Sequence, residues 1–252
     1  MKKFIKLAAL ASAVIMLVAS VTGCGSSSNE IVFGTDANFP PFEFVSESGI
    51  IDTYDGIDIA IARQIGDDMG KKAQIADMNF DSLLDALQDG KIDAAIAAIS
   101  VTDDRAETVD FSIPYYNATQ VIIVKEGSDI TCAADLADKL TAVVSDYTGE
   151  TWIKERGYSY KSFSNGTECI NAMMVAGICD AVIIDSATAG KYVADYAGLA
   201  IVSDDVTFGS EQYAIAVKAG NTELLNQIND TIKRMLDDGT IANISDQYCV
   251  AE

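Results

Sequence analysis

The chain has 252 residues with 17 Lys and Arg against 38 Asp and Glu, a formal net charge of -21, and no histidine. Without an imidazole it cannot form a Ser-His-Asp or Cys-His catalytic unit or a histidine zinc site. The acidic balance argues against a nucleic-acid partner, because phosphate binding needs a basic surface. Apolar residues make up 49% of the chain, which is enough for a packed core.

The first 23 residues have the three-part layout of a signal peptide. Lysines precede an apolar run over residues 7–21, shorter than the roughly 20 residues that a membrane span needs. The run ends in VTGC, which is similar to a bacterial lipobox, so we expect lipid attachment at Cys24; the alternative is an ordinary signal peptide followed by an unmodified cysteine. Residues 24–30 predict a flexible tether. We therefore predict an extracytoplasmic protein that is lipid-anchored to the cell membrane.

From residue 31 onward, short apolar runs alternate with amphipathic stretches, a rhythm typical of an α/β protein. The predicted elements of the first half are a strand at 31–34, a helix at 57–69, a strand at 73–76, a helix at 81–88 and a buried strand at 92–99. Those of the second half are a strand at 141–144, helices at 149–156 and 169–175, a strand at 181–184, a helix at 224–236 and a short C-terminal helix.

Four cysteines follow Cys24, namely Cys132, Cys169, Cys179 and Cys249. Outside the cell they could form two disulfides in any of three pairings, and the sequence does not choose among them. Their spacing contains no C-x-x-C pair, so we predict no metal site.

Residues 83–99 and 170–185 match each other with an offset of 87. The coincident positions are Gly90 and Gly177, Asp93 and Asp180, Ala94 and Ala181, and Ala98 and Asp185. This indicates two lobes built on one plan; the alternative is two unrelated helix-to-strand turns. Ligands of open α/β sheets lie beyond the carboxyl ends of the strands, so residues 98–100 and Asp185 are expected to face one crevice.

Arg105 is the candidate for binding an anion. It follows a buried strand in a first helical turn capped by Thr102, where a cation opposes the helix dipole and so does not stabilise the helix. Its guanidinium could bind a carboxylate at two points. The alternative is a salt bridge to Asp103 or Asp110.

Asp185 is the candidate for binding a cation, because it ends the apolar run AVII and a buried carboxylate is costly unless it is paired. The alternative is that it caps the next helix. Thr148 and Gly149 could donate a hydroxyl and a backbone N–H to an anion. Phe39 could form a stacking wall, whereas we expect Phe42 and Phe44 to be core residues.

Several segments together resemble a known family. They are GTDANFPPFEF, MNFDSLLDALQDGKIDAAIAAISVTDDRAETVDFSIPYY, YTGE and CDAVIIDSAT. From about residue 31 to the C-terminus the chain resembles the bacterial extracellular solute-binding proteins of family 3, which serve ABC importers of polar amino acids. The resemblance implies a type II periplasmic-binding-protein fold of two α/β lobes joined by a two-strand hinge, with lobe 1 at 31–117 and 214–252 and lobe 2 at 118–213.

The resemblance also implies a role for each candidate residue. Arg105, helped by Ser100, Thr148 and Gly149, would bind the α-carboxylate of an amino acid. Asp185 and the carbonyl at Ala98 would bind its α-ammonium. Phe39 and Phe80 would sandwich its side chain, and Asp36 would bind the polar end of that side chain.

Two departures affect the identity of the ligand. Asp146-Tyr147 replaces the Gly-Thr that usually precedes the threonine matched by Thr148, and Ala98 stands where Gly or Ser is common. Asp36 and Asp146 disfavour a dicarboxylate, because like charges repel. The hypothesis is a polar L-amino acid with a basic or glutamine-like side chain.

The predicted function is therefore that of a substrate-binding subunit of an ABC importer, which closes around its ligand and delivers it to the permease. We expect a monomer that needs no cofactor and is not an enzyme. The alternatives are a periplasmic dehydratase of the same fold and a sensory module that presents its ligand to a receptor.

Overall fold

The computed structural model describes residues 29–46 and 53–249. The predicted signal peptide and Cys24 lie outside these residues. Within the two ranges, no helix combines the length and the apolar character that crossing a membrane requires.

The described residues form fifteen strands and nine α-helices. The strands are β1 (Glu30–Thr35), β2 (Asn38–Phe39), β3 (Glu43–Val45), β4 (Tyr54–Asp55), β5 (Lys72–Asp77), β6 (Ala94–Ala95), β7 (Val109–Phe111), β8 (Tyr116–Ala118), β9 (Gln120–Lys125), β10 (Thr141–Val144), β11 (Tyr160–Phe163), β12 (Ala181–Asp185), β13 (Leu199–Ser203), β14 (Glu211–Tyr213) and β15 (Ala216–Lys218). The helices are α1 (Ile57–Asp68), α2 (Leu83–Gln88), α3 (Asp103–Ala106), α4 (Thr148–Glu155), α5 (Gly166–Met174), α6 (Ser186–Asp195), α7 (Asp205–Phe208), α8 (Thr222–Asp237) and α9 (Thr240–Tyr248).

Two five-stranded sheets follow the same plan, with the orders β5-β1-β6-β15-β7 and β11-β10-β12-β9-β13. In the first sheet, β1 is parallel to β5 and β6, and β15 is antiparallel to β6 and β7. In the second, β10 is parallel to β11 and β12, and β9 is antiparallel to β12 and β13. The relative strand directions are therefore the same at every position of the two sheets.

The chain passes between these sheets twice. It leaves the first sheet through β8 and returns to it through β14, and these two strands pair antiparallel with each other. The predicted architecture of two α/β lobes joined by two strands is confirmed.

The internal repeat has a structural basis. Gly90 and Gly177 both take left-handed backbone conformations, with φ of 71° and 62°, just before the central strands β6 and β12. Asp93 accepts a hydrogen bond from the backbone N–H of Val32 in β1, and Asp180 accepts one from that of Leu140 before β10, each at 2.8 Å. Each aspartate thus joins its central strand to the parallel neighbour by the same bond.

The strand predicted at 92–99 is wrong in its extent, because only Ala94–Ala95 pairs as β6. The whole run is buried apart from Asp93, as the apolar pattern indicates. However, Ala98 has a φ of 45°, which turns the backbone out of the extended conformation. A short apolar run predicts burial, and it does not by itself distinguish a strand from an irregular buried segment.

The predicted helices are confirmed, with small shifts of their ends. The helix predicted at 57–69 is α1, whose Ile57, Ile59, Ile61 and Ile65 are fully buried, and Gly70 follows it with a φ of 64°. The one predicted at 81–88 is a 3₁₀ turn, Phe80–Ser82, followed by α2. The helix predicted at 169–175 begins earlier, because the Asn165 side chain caps α5 by accepting from the N–H of Glu168 at 2.9 Å.

The four cysteines of the described ranges are free thiols, so these residues contain none of the three disulfide pairings that the sequence allows. Cys169 and Cys179 are buried, and burial raises the pKa of both thiols.

Candidate functional site

Arg105 connects the two halves of the molecule. Its Nη1 donates to the carbonyl of Ser100 and its Nη2 to the carbonyl of Asp146, which precedes α4 of the second lobe, both at 2.9 Å. Thr102 caps α3 as predicted, since its hydroxyl accepts from the Arg105 N–H at 3.3 Å. The guanidinium thus bonds to carbonyls and not to Asp103 or Asp110. Burial lowers the pKa of Arg105, and the charge of Glu211 opposes this shift.

Ser100 and Thr148, from different lobes, meet at a residue that the sequence reasoning missed. Both hydroxyls donate to Oε2 of Glu211, at 2.7 and 2.9 Å. Glu211 begins β14, one of the two strands between the sheets. The Glu211 carboxylate, on a strand between the sheets, therefore bridges the hydroxyls of Ser100 and Thr148, which the sequence predicts to bind a ligand carboxylate.

Asp185 ends β12 and is 1% exposed. Its Oδ1 accepts from the Thr188 N–H at 3.0 Å, so the helix-capping alternative is correct for this oxygen. Its Oδ2 is buried and accepts no hydrogen bond of normal geometry from the described residues. Burial raises the pKa of Asp185 to about 6 despite the hydrogen bonds from Thr188. Burial raises the pKa of Tyr147 and of Tyr213 well above the ordinary value, and the charge of Asp185 adds to both shifts.

Ala98 is held from beneath by buried acids. Its N–H donates to Oδ2 of Asp58 at 2.7 Å, and the Tyr115 hydroxyl donates to the same oxygen at 2.9 Å. Burial raises the pKa of Asp58 to about 6. Burial and the neighbouring Asp58 raise the pKa of Glu43 well above its ordinary value. This network holds the left-handed turn at Ala98 in place.

The three aromatic rings of the site are in contact. The Tyr147 ring lies 4.5 Å from that of Phe80 and 5.2 Å from that of Phe39, measured between centroids. The Arg105 guanidinium lies 5.2 Å from the Phe80 ring. Asp36 accepts from the Phe80 N–H at 3.1 Å and from Asn38 Nδ2 at 2.9 Å, and burial raises its pKa. Asp36 therefore helps to position Phe80 among these three rings.

Gly149 is a packing residue. A Cβ at this position would lie 2.9 Å from the Ile183 side chain and 3.2 Å from Oε1 of Gln120, so no larger residue fits without movement. Gln120 begins β9 and pairs in register with Asp185. Gly149 therefore allows α4 to approach β9 and β12.

Most of the predicted residues meet at one small cavity of about 10 Å³. Its walls are Phe39, Phe80, Ala98, Ser100, Arg105, Gln120, Tyr147, Thr148 and Tyr213. Asp36, Gly149 and Asp185 lie outside these walls. Arg105, Gln120 and Thr148 also line a groove of about 590 Å³ that leads past Glu211 and Trp152. Among the described residues, no group of three or more Cys, Asp or Glu could hold a metal ion.

Four wall or hinge residues were not predicted as site residues, namely Gln120, Tyr147, Glu211 and Tyr213. Tyr147 was visible in the sequence as a departure from the usual Gly-Thr. The others lie on β9 and β14, short strands whose pairing depends on contacts distant in sequence.

Comparison with known proteins agrees with this fold. The model of the bacterial extracellular solute-binding proteins, family 3, matches residues 31–251. The chain belongs to this family. A relative in this family is the ABC transporter arginine-binding protein 1 of Escherichia coli K12, which is 31% identical over 92% of this chain and 96% of its own length.

Solved structures extend the family-3 comparison. An ancestral arginine-binding protein, with structures bound to arginine and to glutamine, is 39% identical with a TM-score of 0.80, over 87% of this chain and at least 97% of its own. The ancestral amino-acid-binding protein AncCDT-1, described as a precursor of cyclohexadienyl dehydratase, is 31% identical with a TM-score of 0.80, over 88% of this chain and 96% of its own.

Proposed function

We propose that this protein is the extracytoplasmic substrate-binding subunit of an ABC importer and binds a polar L-amino acid between its lobes. One observation carries the proposal: Arg105 and Ser100 of one lobe and Thr148 of the other line the same cavity. A guanidinium and two hydroxyls suit an α-carboxylate. The unpaired Oδ2 of Asp185 suits an α-ammonium ion.

Lobe 1 comprises residues 31–117 and 214–252 in this proposal, and lobe 2 comprises 118–213. These boundaries are supported by β8 and β14, which span Tyr116–Ala118 and Glu211–Tyr213. A ligand that binds Arg105 and Asp185 together engages both lobes only when the cleft is closed. It therefore shifts the equilibrium between open and closed forms towards the closed one, which the permease recognises.

The charges of the site favour a ligand with a cationic or glutamine-like side chain. Arg105 is accompanied by three acids, Asp36, Asp185 and Glu211. Burial raises the pKa of Asp36 and of Asp185, and it lowers the pKa of Arg105. A dicarboxylate would add an anion to a site that already has more acids than cations. The arginine-binding relatives support the same preference.

The remaining parts of the proposal concern the whole chain. Cys24 carries the lipid that anchors the protein, the partner is a permease, and the protein acts as a monomer without a cofactor. It is a binding protein and not an enzyme: Asp58, one of its most deeply buried acids, is engaged by the Ala98 N–H and the Tyr115 hydroxyl.

A thermal-shift screen of the residue 24–252 protein against the twenty amino acids and cystine tests the proposal. A ligand at 100 times its dissociation constant stabilises the fold by about 2.7 kcal/mol, which is easily measured. Calorimetry then gives the affinity, and chromatography of the recovered ligand tests for turnover. Failure of every amino acid to shift the melting temperature contradicts the proposal, and a chemically altered ligand would favour the dehydratase alternative.

A further inference from the structure

Tyr147 occupies the place that the resemblance assigns to the ligand side chain. Its ring contacts both Phe39 and Phe80, the two aromatics expected to sandwich that side chain. The ring comes from the second lobe and the two phenylalanines from the first.

The Tyr147 backbone is held on both sides. Its N–H donates to the carbonyl of Val144 at 3.3 Å, and its carbonyl accepts from Glu150 at 3.0 Å and Thr151 at 3.3 Å, at the start of α4. The preceding Asp146, with a φ of 63°, gives its carbonyl to Arg105. While the lobes stay closed, a change of ring position must therefore come from side-chain rotation.

The space left beside the ring is small. The cavity of about 10 Å³ holds at most about one water molecule. A ligand side chain long enough to lie between Phe39 and Phe80 must displace the Tyr147 ring and lose both aromatic contacts. A shorter side chain leaves the ring in place.

We propose that Tyr147 determines ligand specificity by competing with long ligand side chains for the Phe39–Phe80 pair. This rests on the proposed function and adds side-chain length as the property that is selected. Tyr147 penalises long polar or cationic side chains relative to short ones that carry the same terminal group.

The test uses two ligand pairs that differ only in length, asparagine with glutamine and 2,4-diaminobutyrate with lysine. Calorimetry on the wild type, Tyr147→Ala, Tyr147→Thr and Tyr147→Phe gives the affinity ratio of long to short ligand for each protein. We expect the ratio to rise about tenfold in the Ala and Thr variants, because two aromatic contacts no longer have to be broken. The Phe variant keeps the ring and should keep the wild-type ratio.

Three results would overturn the inference. If the proteins bind these amino acids and the ratio changes less than about twofold in both small variants, Tyr147 does not select for length and the proposed function stands. An equal change in Tyr147→Phe would assign the effect to the hydroxyl. If neither the paired ligands nor any amino acid of the full screen binds, the proposed function and this inference both fail. Thermal melting of each variant shows that it is folded, and the Thr variant replaces the Ala variant should the latter melt early.

Discussion

Acidification should weaken amino-acid binding through Asp185. Burial raises the pKa of this carboxyl to about 6 in the free protein. Only the ionised form pairs with an α-ammonium ion, so bound ligand lowers this pKa. Affinity approaches its full value well above pH 6 and falls as the pH drops through about 6.

The size of the effect follows from the ionised fraction. For a pKa of about 6, this fraction is about 0.9 at pH 7 and about 0.09 at pH 5. The association constant should therefore fall about tenfold over this range, which is about 1.4 kcal/mol. Calorimetry at constant ionic strength with the preferred ligand measures it directly.

Asp185→Asn is the matched control, because it keeps the shape and cannot ionise. It should bind more weakly at pH 7 and lose most of the slope between pH 7 and 5; any remaining slope reports other acids such as Asp36, whose pKa burial also raises. A wild-type affinity that changes less than about twofold, or an equal slope in Asp185→Asn, would refute the pairing of Asp185 with the ligand.

The other predictions concern single residues and stability. Arg105→Ala should cost about 2 kcal/mol or more of binding, because the ligand carboxylate loses its cation, whereas Arg234→Ala, which removes a surface pair with Asp68, should leave affinity unchanged in the same titrations. Glu211→Gln should move the pH midpoint of binding downward, because the Glu211 charge adds to the burial that raises the pKa of Asp185; an unmoved midpoint would count against this coupling of Glu211 to Asp185. Asp58→Ala should lower the free energy of unfolding in urea by about 3 kcal/mol, because it strands the Ala98 N–H and the Tyr115 hydroxyl, and Tyr115→Phe should cost less. The folded-state pKa values of Asp58 and Asp185 are about 6, above the ordinary 3.8, so between these values the folded protein binds more protons than the unfolded chain. The unliganded protein should therefore melt at a higher temperature at about pH 5 than at about pH 7. A lower melting temperature at about pH 5 would contradict the raised pKa values of these two carboxyls.

The repeat was predictable because the same local chemistry recurs. A left-handed glycine and an aspartate that bonds to the neighbouring strand occur before both β6 and β12, and both are visible in the sequence as G-x-x-D-A. The limits of β6 were not predictable, because the turn at Ala98 depends on Asp58, which lies 40 residues away in sequence.

The positions of Arg105 and Asp185 were predictable, because each follows directly from the end of a strand or the start of a helix. Glu211 was missed because its role depends on Ser100 and Thr148, which lie 111 and 63 residues away. Gly149 was assigned to ligand binding, whereas its contacts with Ile183 and Gln120 give it a packing role as well.

Binding of three matched ligands tests the central claim most directly: the preferred amino acid, the amine without its carboxylate and the acid without its amino group. Both analogues should bind wild-type protein about 100-fold more weakly than the amino acid, because each leaves one buried charge unpaired. Arg105→Ala should lose the discrimination against the amine, and Asp185→Ala the discrimination against the acid. An analogue that binds wild-type protein within about threefold of the amino acid would contradict the claim that Arg105 and Asp185 bind the two ends of one ligand.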